Sequence, residues 1–494
     1  MVVSGPERVS GLLFLEGDRG NSAAVRAAPA KNNIMIVMKF GGTSVEDAAA
    51  IRNLTEIVKK ELPRKPVVIV SACAGITNQL LLTSALASQG QKEEALNQVA
   101  AIESRHKSIV KELFDDHLAK FLNNRLGVLA DEIAGLVGGV AVLGELTNRT
   151  QDVFAAYGER MSSFIIHHYF ESQGLKSFWV DARTFMITDD NFTKAAPNFD
   201  LTERKLREIV QPKVENGYIV ISQGFVGATT GGVTTTIGRG GSDYSAAIVG
   251  ALLDAEDIQI WTDVDGILST DPRLIAEAKK IKVMSFNEAS EIAYFGAKVL
   301  HPETILPVVK KNIPVRVLNS KNPSAPGTLI VAKPKSGKRC IVKSIAYKEG
   351  ITLINIVSLR LVTATAFLEN VFNVFHKYHT VVHTVTVSEV SVMVTIDNTF
   401  NLTNILKVLK QFSTVIVSEK KAIVSIVGDN LRSTPGLAVK VLAPITDVNI
   451  NMISQGSSEI NLNFVIDEDQ VKDVVLQLHK ELFADASVHP EIFE

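Results

Sequence analysis

Lys39-Phe40-Gly41-Gly42-Thr43-Ser44 places a cation, two residues without side chains and two hydroxyls in one short stretch. The apolar run before it, Ile34 to Met38, reads as a buried strand. A helix-like segment follows, from Glu46 toward Glu61. A strand that ends in Gly-Gly and opens a helix exposes backbone N–H groups, and the missing side chains let an anion come close. Lys39 adds a full positive charge there. The chemistry expected is the holding of a phosphate. The spacing is not GxxxxGK[ST], and no Walker A motif occurs in the chain. A Gly-Gly turn beside a surface lysine is the plain alternative; the flanking strand and the hydroxyls favour the phosphate.

Three further groups carry candidate chemistry. Gly238-Arg239-Gly240-Gly241-Ser242-Asp243-Tyr244-Ser245 resembles GxGxxG, but Asp243 stands at the last glycine, so no dinucleotide site is implied. Ser242 and Asp243 are good N-cap types for a helix expected over Tyr244 to Leu253. Capping does not account for Arg239 among three glycines, where a guanidinium can clamp a carboxylate or phosphate in bidentate fashion. Trp261-Thr262-Asp263-Val264-Asp265-Gly266-Ile267, with Asp271-Pro272-Arg273, contains ordinary turn formers. Two surface turns would explain it; the arrangement also suits a nucleotide pocket, with Asp263 for polar groups and Arg273 for phosphates. Glu159, in Tyr157-Gly158-Glu159-Arg160, reads as an acid at the start of an apolar helix, where the dipole favours it.

These loops need elements to hold them. From 34 to about 332 the pattern alternates strand and helix. Val67-Val68-Ile69-Val70 runs into the small-residue loop Ser71 through Asn78. Tyr218 to Ser222 ends at Gln223-Gly224-Phe225, and Ile258 to Trp261 ends at Thr262-Asp263. Residues 91 to 175 read as mostly helical. Such alternation predicts a mainly parallel open sheet sandwiched by helices. Ligands in such sheets sit beyond the carboxyl ends of the strands, where each candidate loop falls. After Pro323-Ser324-Ala325-Pro326-Gly327 a linker is expected, through Pro334 and Gly337. The remainder is rich in β-branched residues and repeats itself: Ser388 to Asp397 matches Ser458 to Asp467 at an offset of 70 residues. Each copy reads as a small β-α-β-β unit, too short for an enzyme domain and suited to sensing or assembly. The expected organisation is a leader over 1–33, a catalytic domain over 34–332, and two regulatory units over 333–420 and 421–494.

At 494 residues the chain is long enough for about three domains. It is 46% hydrophobic and 21% charged, which suits sizeable cores. A formal net charge of −2 without a basic block gives no reason to expect nucleic acid or an anionic membrane surface. No uninterrupted apolar run approaches the ~18 residues of a membrane span. Cys73 and Cys340 make no disulfide framework, which fits a reducing compartment. The first 33 residues are rich in small and breaker residues. They read as an organelle transit-peptide remnant or a plain disordered tail; Glu7, Glu16 and Asp18 count against the first.

Lys39 through Ser44, Ser71 through Asn78, Gly238 through Asp243, Thr262 through Arg273 and Phe295-Gly296-Ala297-Lys298-Val299-Leu300-His301-Pro302 occur in the order and at the spacings found in aspartate kinases. The chain resembles the monofunctional, lysine-sensitive members of that family over about 34–494, and with its leader is most similar to the plant plastid type. The resemblance implies an amino acid kinase fold followed by two α+β ferredoxin-like ACT domains, without a homoserine dehydrogenase. It also implies a chloroplast location; the plain-tail reading leaves the cytoplasm.

The reaction implied is L-aspartate plus Mg-ATP to 4-phospho-L-aspartate plus ADP, the first step toward lysine, threonine, methionine and isoleucine. By resemblance Lys39, Gly41, Gly42 and Asp243 are catalytic. Thr43, Ser44, Ser71, Thr77, Glu159, Arg239, Gly240 and Ser242 lie on the substrate side, with Arg239 on the α-carboxylate and Glu159 near the ammonium. Lys39, Gly42, Thr262, Asp263, Gly266, Arg273 and Lys298 lie on the ATP side. Leu268 departs from many bacterial relatives, which carry Tyr there beside the adenine. Ala366, Phe367, Leu368, His383, Thr384, Val385, Ser388, Glu389 and Val390 match the lysine-binding loop and strand; His383 stands where some bacterial enzymes carry Asp. S-adenosylmethionine co-inhibits plant relatives, and no residues are nominated for it or for a metal beyond the Mg2+ of the nucleotide. Free strand edges in the repeats imply a dimer or larger assembly through them. The rival readings are an inactive amino-acid sensor and a superfamily kinase for glutamate, acetylglutamate or UMP.

Overall fold

The computed structural model describes residues 35–296, 302–334, 341–358, 364–456, 458–484, 490, 492 and 493. The leader and Lys298 therefore lie outside the described residues. An eight-stranded sheet forms the first layer system, in the order Ser177–Val180, Ile219–Gln223, Pro66–Val70, Ile36–Phe40, Asp257–Thr262, Val315–Asn319, Thr328–Val331, Val283–Ser285. Every neighbouring pair is parallel except Val315–Asn319 against Thr328–Val331. The central strands are buried end to end, as a sheet covered on both faces requires. The apolar runs of the sequence fall on these strands with shifts of one or two residues.

One face carries the helices Lys92–Leu113, Asp116–Leu143 and Asn148–Ser172, which bury Leu122, Leu126, Ile133, Phe154 and Ile165 against Met38, Phe40 and Val68. Asp116–Leu143 is long and apolar enough to cross a membrane by length and composition, a property that no uninterrupted apolar run in the sequence announced. In the fold its buried stripe belongs to this helical layer. The other face packs Gly241–Leu252 against Val37, Ile258 and Ile260.

A second sheet follows, six-stranded and antiparallel throughout, in the order Val385–Val387, Ser391–Ile396, Ile341–Ser358, Ser413–Asp429, Asn461–Asp467, Met452–Gln455. Its two middle strands pair over nearly their whole length. Ile341 to Lys348 faces Asp429 to Ile423, the register shifts at Lys348–Ile351, and Leu353 to Ser358 faces Ser418 to Ser413. The helices Ala364–Lys377 and Leu402–Leu409 and strands 385–387 and 391–396 attach to the far halves. The near halves carry the helix Val471–Phe483 and strands 452–455 and 461–467. The first repeat is thus nested inside the second, and a cut at 420/421 falls within a strand.

The two sheets are laced together. The N–H of Ile345 donates to Ser269 O at 2.7 Å, and Ser269 Oγ lies 2.9 Å from His479 Nε2. Lys343 Nζ is 2.8 Å from Glu288 Oε2 with both side chains almost wholly buried (0% and 2% exposed). Glu288 also closes the capping box of the helix Phe286–Tyr294 with Ser285. Lys282 N–H donates to Ile492 O, so the C-terminal residues return to the first sheet.

Candidate active site

The carboxyl ends of Ile36–Phe40, Pro66–Val70 and Ile219–Gln223 meet the N-terminus of Gly241–Leu252 around a cavity of about 350 Å³. Lys39, Gly42, Ser71, Thr77, Glu159, Arg239, Gly240, Ser242 and Asp243 all line it. The first glycine pair has a steric cause as well as a chemical one. A Cβ on Gly42 would lie 3.0 Å from Ala72 O, because the 71–75 loop folds over it and Ala74 N–H donates to Gly42 O at 3.1 Å. Gly41 N–H donates to Trp261 O at 3.0 Å, joining the first loop to the third. Gly238 and Gly240 take positive φ (78° and 71°), which turns Arg239 toward the cavity lining at the helix N-terminus.

Two expectations about local context change. The helix caps on Gly240, not on Ser242 or Asp243, and without a side-chain cap bond. The capping position falls on a glycine, which has no side chain to accept a bond, and Ser242 and Asp243 fall in the first turn. Asp243 Oδ1 lies 2.7 Å from Lys39 Nζ, a largely buried ion pair that holds the ammonium in place. Glu159 is not at a helix start: Asn148–Ser172 begins three turns earlier with Thr147 as N-cap. The dipole argument therefore does not apply. Glu159 is 3% exposed, and burial pushes its carboxyl up to about 8, against the pull of the Ala72 N–H and of Lys39. Gly158 allows this approach, since a Cβ there would meet Ala72 Cβ at 2.6 Å.

Not every nominated residue lines the cavity. Ser44 is buried, with Oγ 2.7 Å from Ser320 Oγ, and Thr43 sits beside it in the short turn Gly42–Ser44. Thr262 ends its strand with Oγ1 3.3 Å from Asp263 Oδ1, and Asp263 is exposed. Gly266, at φ 120°, packs where a Cβ would lie 2.6 Å from Thr328 Oγ1. Arg273 is 79% exposed and folded onto Asp271, whose carboxyl its hydrogen bonds hold below the usual range. The hydroxyl of Tyr347, from the second sheet, also reaches Asp271 at 3.3 Å. Thr262, Asp263, Gly266 and Arg273 are not among the residues lining the cavity, and Gly266 is itself buried.

Phe225, Cys73, Ala74 and Gly75 line the cavity and were not nominated. Phe225 has φ 66°, a strained conformation for a bulky residue, with its N–H donating to Ser245 Oγ at 3.0 Å. Its position directly after Gln223-Gly224 at a strand end was the available signal.

The effector candidates divide. Phe367 is buried in the first repeat, Ala366 and Leu368 are half-buried, and Ser388, Glu389 and Val390 are exposed on the hairpin beside the edge strand. His383, Thr384 and Val385 instead line a second cavity of about 420 Å³, shared with Glu291 and Tyr294 of the first domain and Asn461 and Asn463 of the second repeat. Tyr294 OH is 2.6 Å from His383 Nδ1, and Asp397 Oδ1 is 2.9 Å from its Nε2.

Comparison with known proteins places this arrangement. Residues 35–319 match the amino acid kinase family and residues 424–482 an ACT domain. Lysine-sensitive aspartokinase 3 of Escherichia coli is 35% identical over 463 residues, covering 91% of this chain and 99% of the relative. Aspartokinase 1, chloroplastic, of Arabidopsis thaliana is 35% identical over 475 residues, covering 92% and 81%. Among solved structures, E. coli aspartokinase III with aspartate and ADP (R-state) superposes with a TM-score of 0.79 at 34% identity, over 91% of this chain and 100% of that one. The same enzyme with lysine and aspartate (T-state) gives 0.75. The chain belongs to the amino acid kinase family and, within it, to the ATP-dependent aspartokinases.

Proposed function

We propose that the chain transfers the γ-phosphoryl group of Mg-ATP to the β-carboxylate of L-aspartate, giving 4-phospho-L-aspartate, the first step toward lysine, threonine, methionine and isoleucine. The observation that carries this reading is one cavity in which Lys39, Arg239 and a helix N-terminus face a buried carboxylate, Glu159. Those are the complements of a dicarboxylic amino acid: Arg239 for the α-carboxylate, Glu159 for the ammonium, and Lys39 with the Gly41-Gly42 backbone for the reacting end.

The nucleophile needs no base, because a β-carboxylate with an ordinary pKa near ~3.9 is already ionised at neutral pH. Catalysis is then positioning and charge stabilisation. Lys39, oriented by Asp243, neutralises the transferring phosphoryl group, with Gly42 supplying an N–H donor at close range and Gly41, whose N–H holds Trp261 O, fixing the turn that presents it. Ser71, Thr77, Gly240 and Ser242 complete the substrate side. Thr43 and Ser44 support the first loop. Thr262, Asp263, Gly266, Arg273 and Lys298 serve the nucleotide, for which Arg273 leaves Asp271.

L-Lysine is the proposed inhibitor, acting through Ala366 to Leu368, His383 to Val385 and Ser388 to Val390, with S-adenosylmethionine as a second inhibitor on the resemblance alone. The short edge strands 385–387 and 452–455 support pairing of two subunits through the second sheet. The proposed division is a catalytic domain to 332 and two ACT units after it, the first nested in the second. The chloroplastic relatives support a plastid location. The deciding experiment is coupled ADP release across aspartate, glutamate and UMP. Turnover with aspartate alone is expected; turnover with another acceptor, or with none, would overturn the reading.

A further inference from the structure

The helix Asn148–Ser172 carries a second buried acid seven residues before Glu159. Asp152 is 1% exposed, and burial raises its carboxyl above the usual range. Both of its oxygens are engaged. Oδ1 accepts from the Thr236 hydroxyl at 2.6 Å and Oδ2 from the Thr236 N–H at 2.9 Å. The Thr193 N–H donates to both, at 3.1 and 2.9 Å. These partners lie 41 and 84 residues away in sequence.

What they hold is specific. Thr236 ends the strand Thr234–Thr236, and Gly238-Arg239-Gly240 begins two residues later. Thr193 has φ 71°, and its carbonyl packs 3.3 Å from where a Cβ on Gly238 would stand. Ala195 N–H donates to Thr236 O at 3.0 Å, so the 193–195 loop and the strand move as one piece. Asp152 and Glu159, seven apart, share a face of the helix about 10 Å apart along its axis. One carboxylate thereby fixes the Arg239 loop to the same rigid rod that carries Glu159.

We propose that Asp152 is a positioning residue that sets the separation of Arg239 and Glu159, and so selects acceptors carrying an α-carboxylate and an α-ammonium at that spacing. The inference rests on the substrate reading above. An aspartate carboxylate suits the task because it accepts from several N–H and O–H donors at once. Asparagine offers one acceptor oxygen: placed where Oδ2 stands it keeps both backbone N–H bonds, but its amide N–H group then sits where Oδ1 accepted from the Thr193 N–H, and the Thr236 hydroxyl must turn to accept. Misplacing a positioning loop by about 1 Å costs as much as about 10²-fold.

The test is Asp152→Asn in the full chain, with Thr236→Val as a milder variant that removes only the hydroxyl bond. Steady-state kinetics are read for aspartate, ATP and the α-carboxamide of aspartate. Asp152→Asn should raise the aspartate KM by about 10- to 10²-fold with the ATP KM within about twofold. Its preference for aspartate over the α-amide should fall by about tenfold. Thr236→Val should move the same quantities less. A merely structural role would lower the active fraction and kcat without moving the preference. If Asp152→Asn does not fold, Thr236→Val decides alone. Unchanged preference in a folded variant, or parallel rises in both KM values, overturns the proposal. Absence of turnover with aspartate in the wild type would instead overturn the substrate reading.

Discussion

Glu159 gives the sharpest quantitative expectation. In the free protein its carboxyl sits at about 8, so at pH 7 it is about nine-tenths protonated and offers no charge to an ammonium. A protein whose competent state is fractionally populated shows an apparent affinity reduced by that fraction. With a pKa of about 8 the charged fraction is about 1% at pH 6 and about half at pH 8. The aspartate KM should therefore fall about 50-fold from pH 6 to pH 8, while the ATP KM stays nearly level. Binding of aspartate near pH 7 should release about 0.9 proton, measurable by calorimetry in buffers of different ionisation enthalpy. Glu159→Gln should flatten the profile and raise the KM at pH 8 by about 30-fold or more, the loss of about 2 kcal/mol or more from a buried charge pair. Stability should move the opposite way. A carboxyl whose folded pKa is raised binds more protons folded than unfolded between about 4.5 and 8, so the free wild type loses stability as pH rises through that window. Glu159→Gln should melt higher than wild type above pH 8 and like it below pH 5. A pH-independent aspartate KM, with no proton released, would refute the role given to this carboxylate.

Lys39→Ala should lower kcat by about 10² or more with a smaller change in KM, as for an interaction made chiefly in the transition state; near-normal kcat in a folded variant would remove Lys39 from the mechanism. Ala366→Phe should shift the lysine inhibition curve to higher concentration while uninhibited kcat stays largely intact, read by one titration beside wild type; joint loss of activity and sensitivity would leave the repeats as an assembly module only. Lys343→Met should cost about 3–5 kcal/mol by stranding Glu288 among buried groups, and Lys343→Met with Glu288→Gln should recover part of it. Thermal melts of the two variants check this, and equal losses would show that the ion pair itself is not what matters.

The parallel sheet was legible because its strands are short unbroken apolar runs, such as Val67 to Val70, that only a doubly covered sheet accommodates. The glycine loops were legible because Gly42, Gly238 and Gly240 are each required by close approach or positive φ. The depth of Glu159 was not, since it depends on Gly158 meeting Ala72 through space. Asp152 was not singled out, because its partners lie on a loop and a strand 41 and 84 residues away. The nesting of the repeats was hidden by charge. Lys348-Glu349-Gly350 and Glu419-Lys420-Lys421 are charged and the second straddles the boundary expected at 420/421, yet both lie within long strands, with Gly350 and Lys420 at positive φ where the register shifts.

That nesting has a consequence for how the chain is made. The strand segment 341–348 emerges from synthesis before its partner at 423–429, and the whole first repeat lies between them. At about 5–20 residues per second, the roughly seventy intervening residues take several seconds, during which an apolar strand has no neighbour in its own sheet. The first repeat ends that wait by folding: pairing 353–358 with 413–418 brings the flanking segments to the same edge and removes most of the loop-closure cost of the second. Hydrogen exchange on a chain ended after Ser418 should accordingly protect 353–358 while most of 341–348 stays open. A substitution that only slows the first repeat would then lower the yield of folded protein without touching the stability of the finished enzyme, because its effect is spent while the second repeat is still waiting for its partner strand.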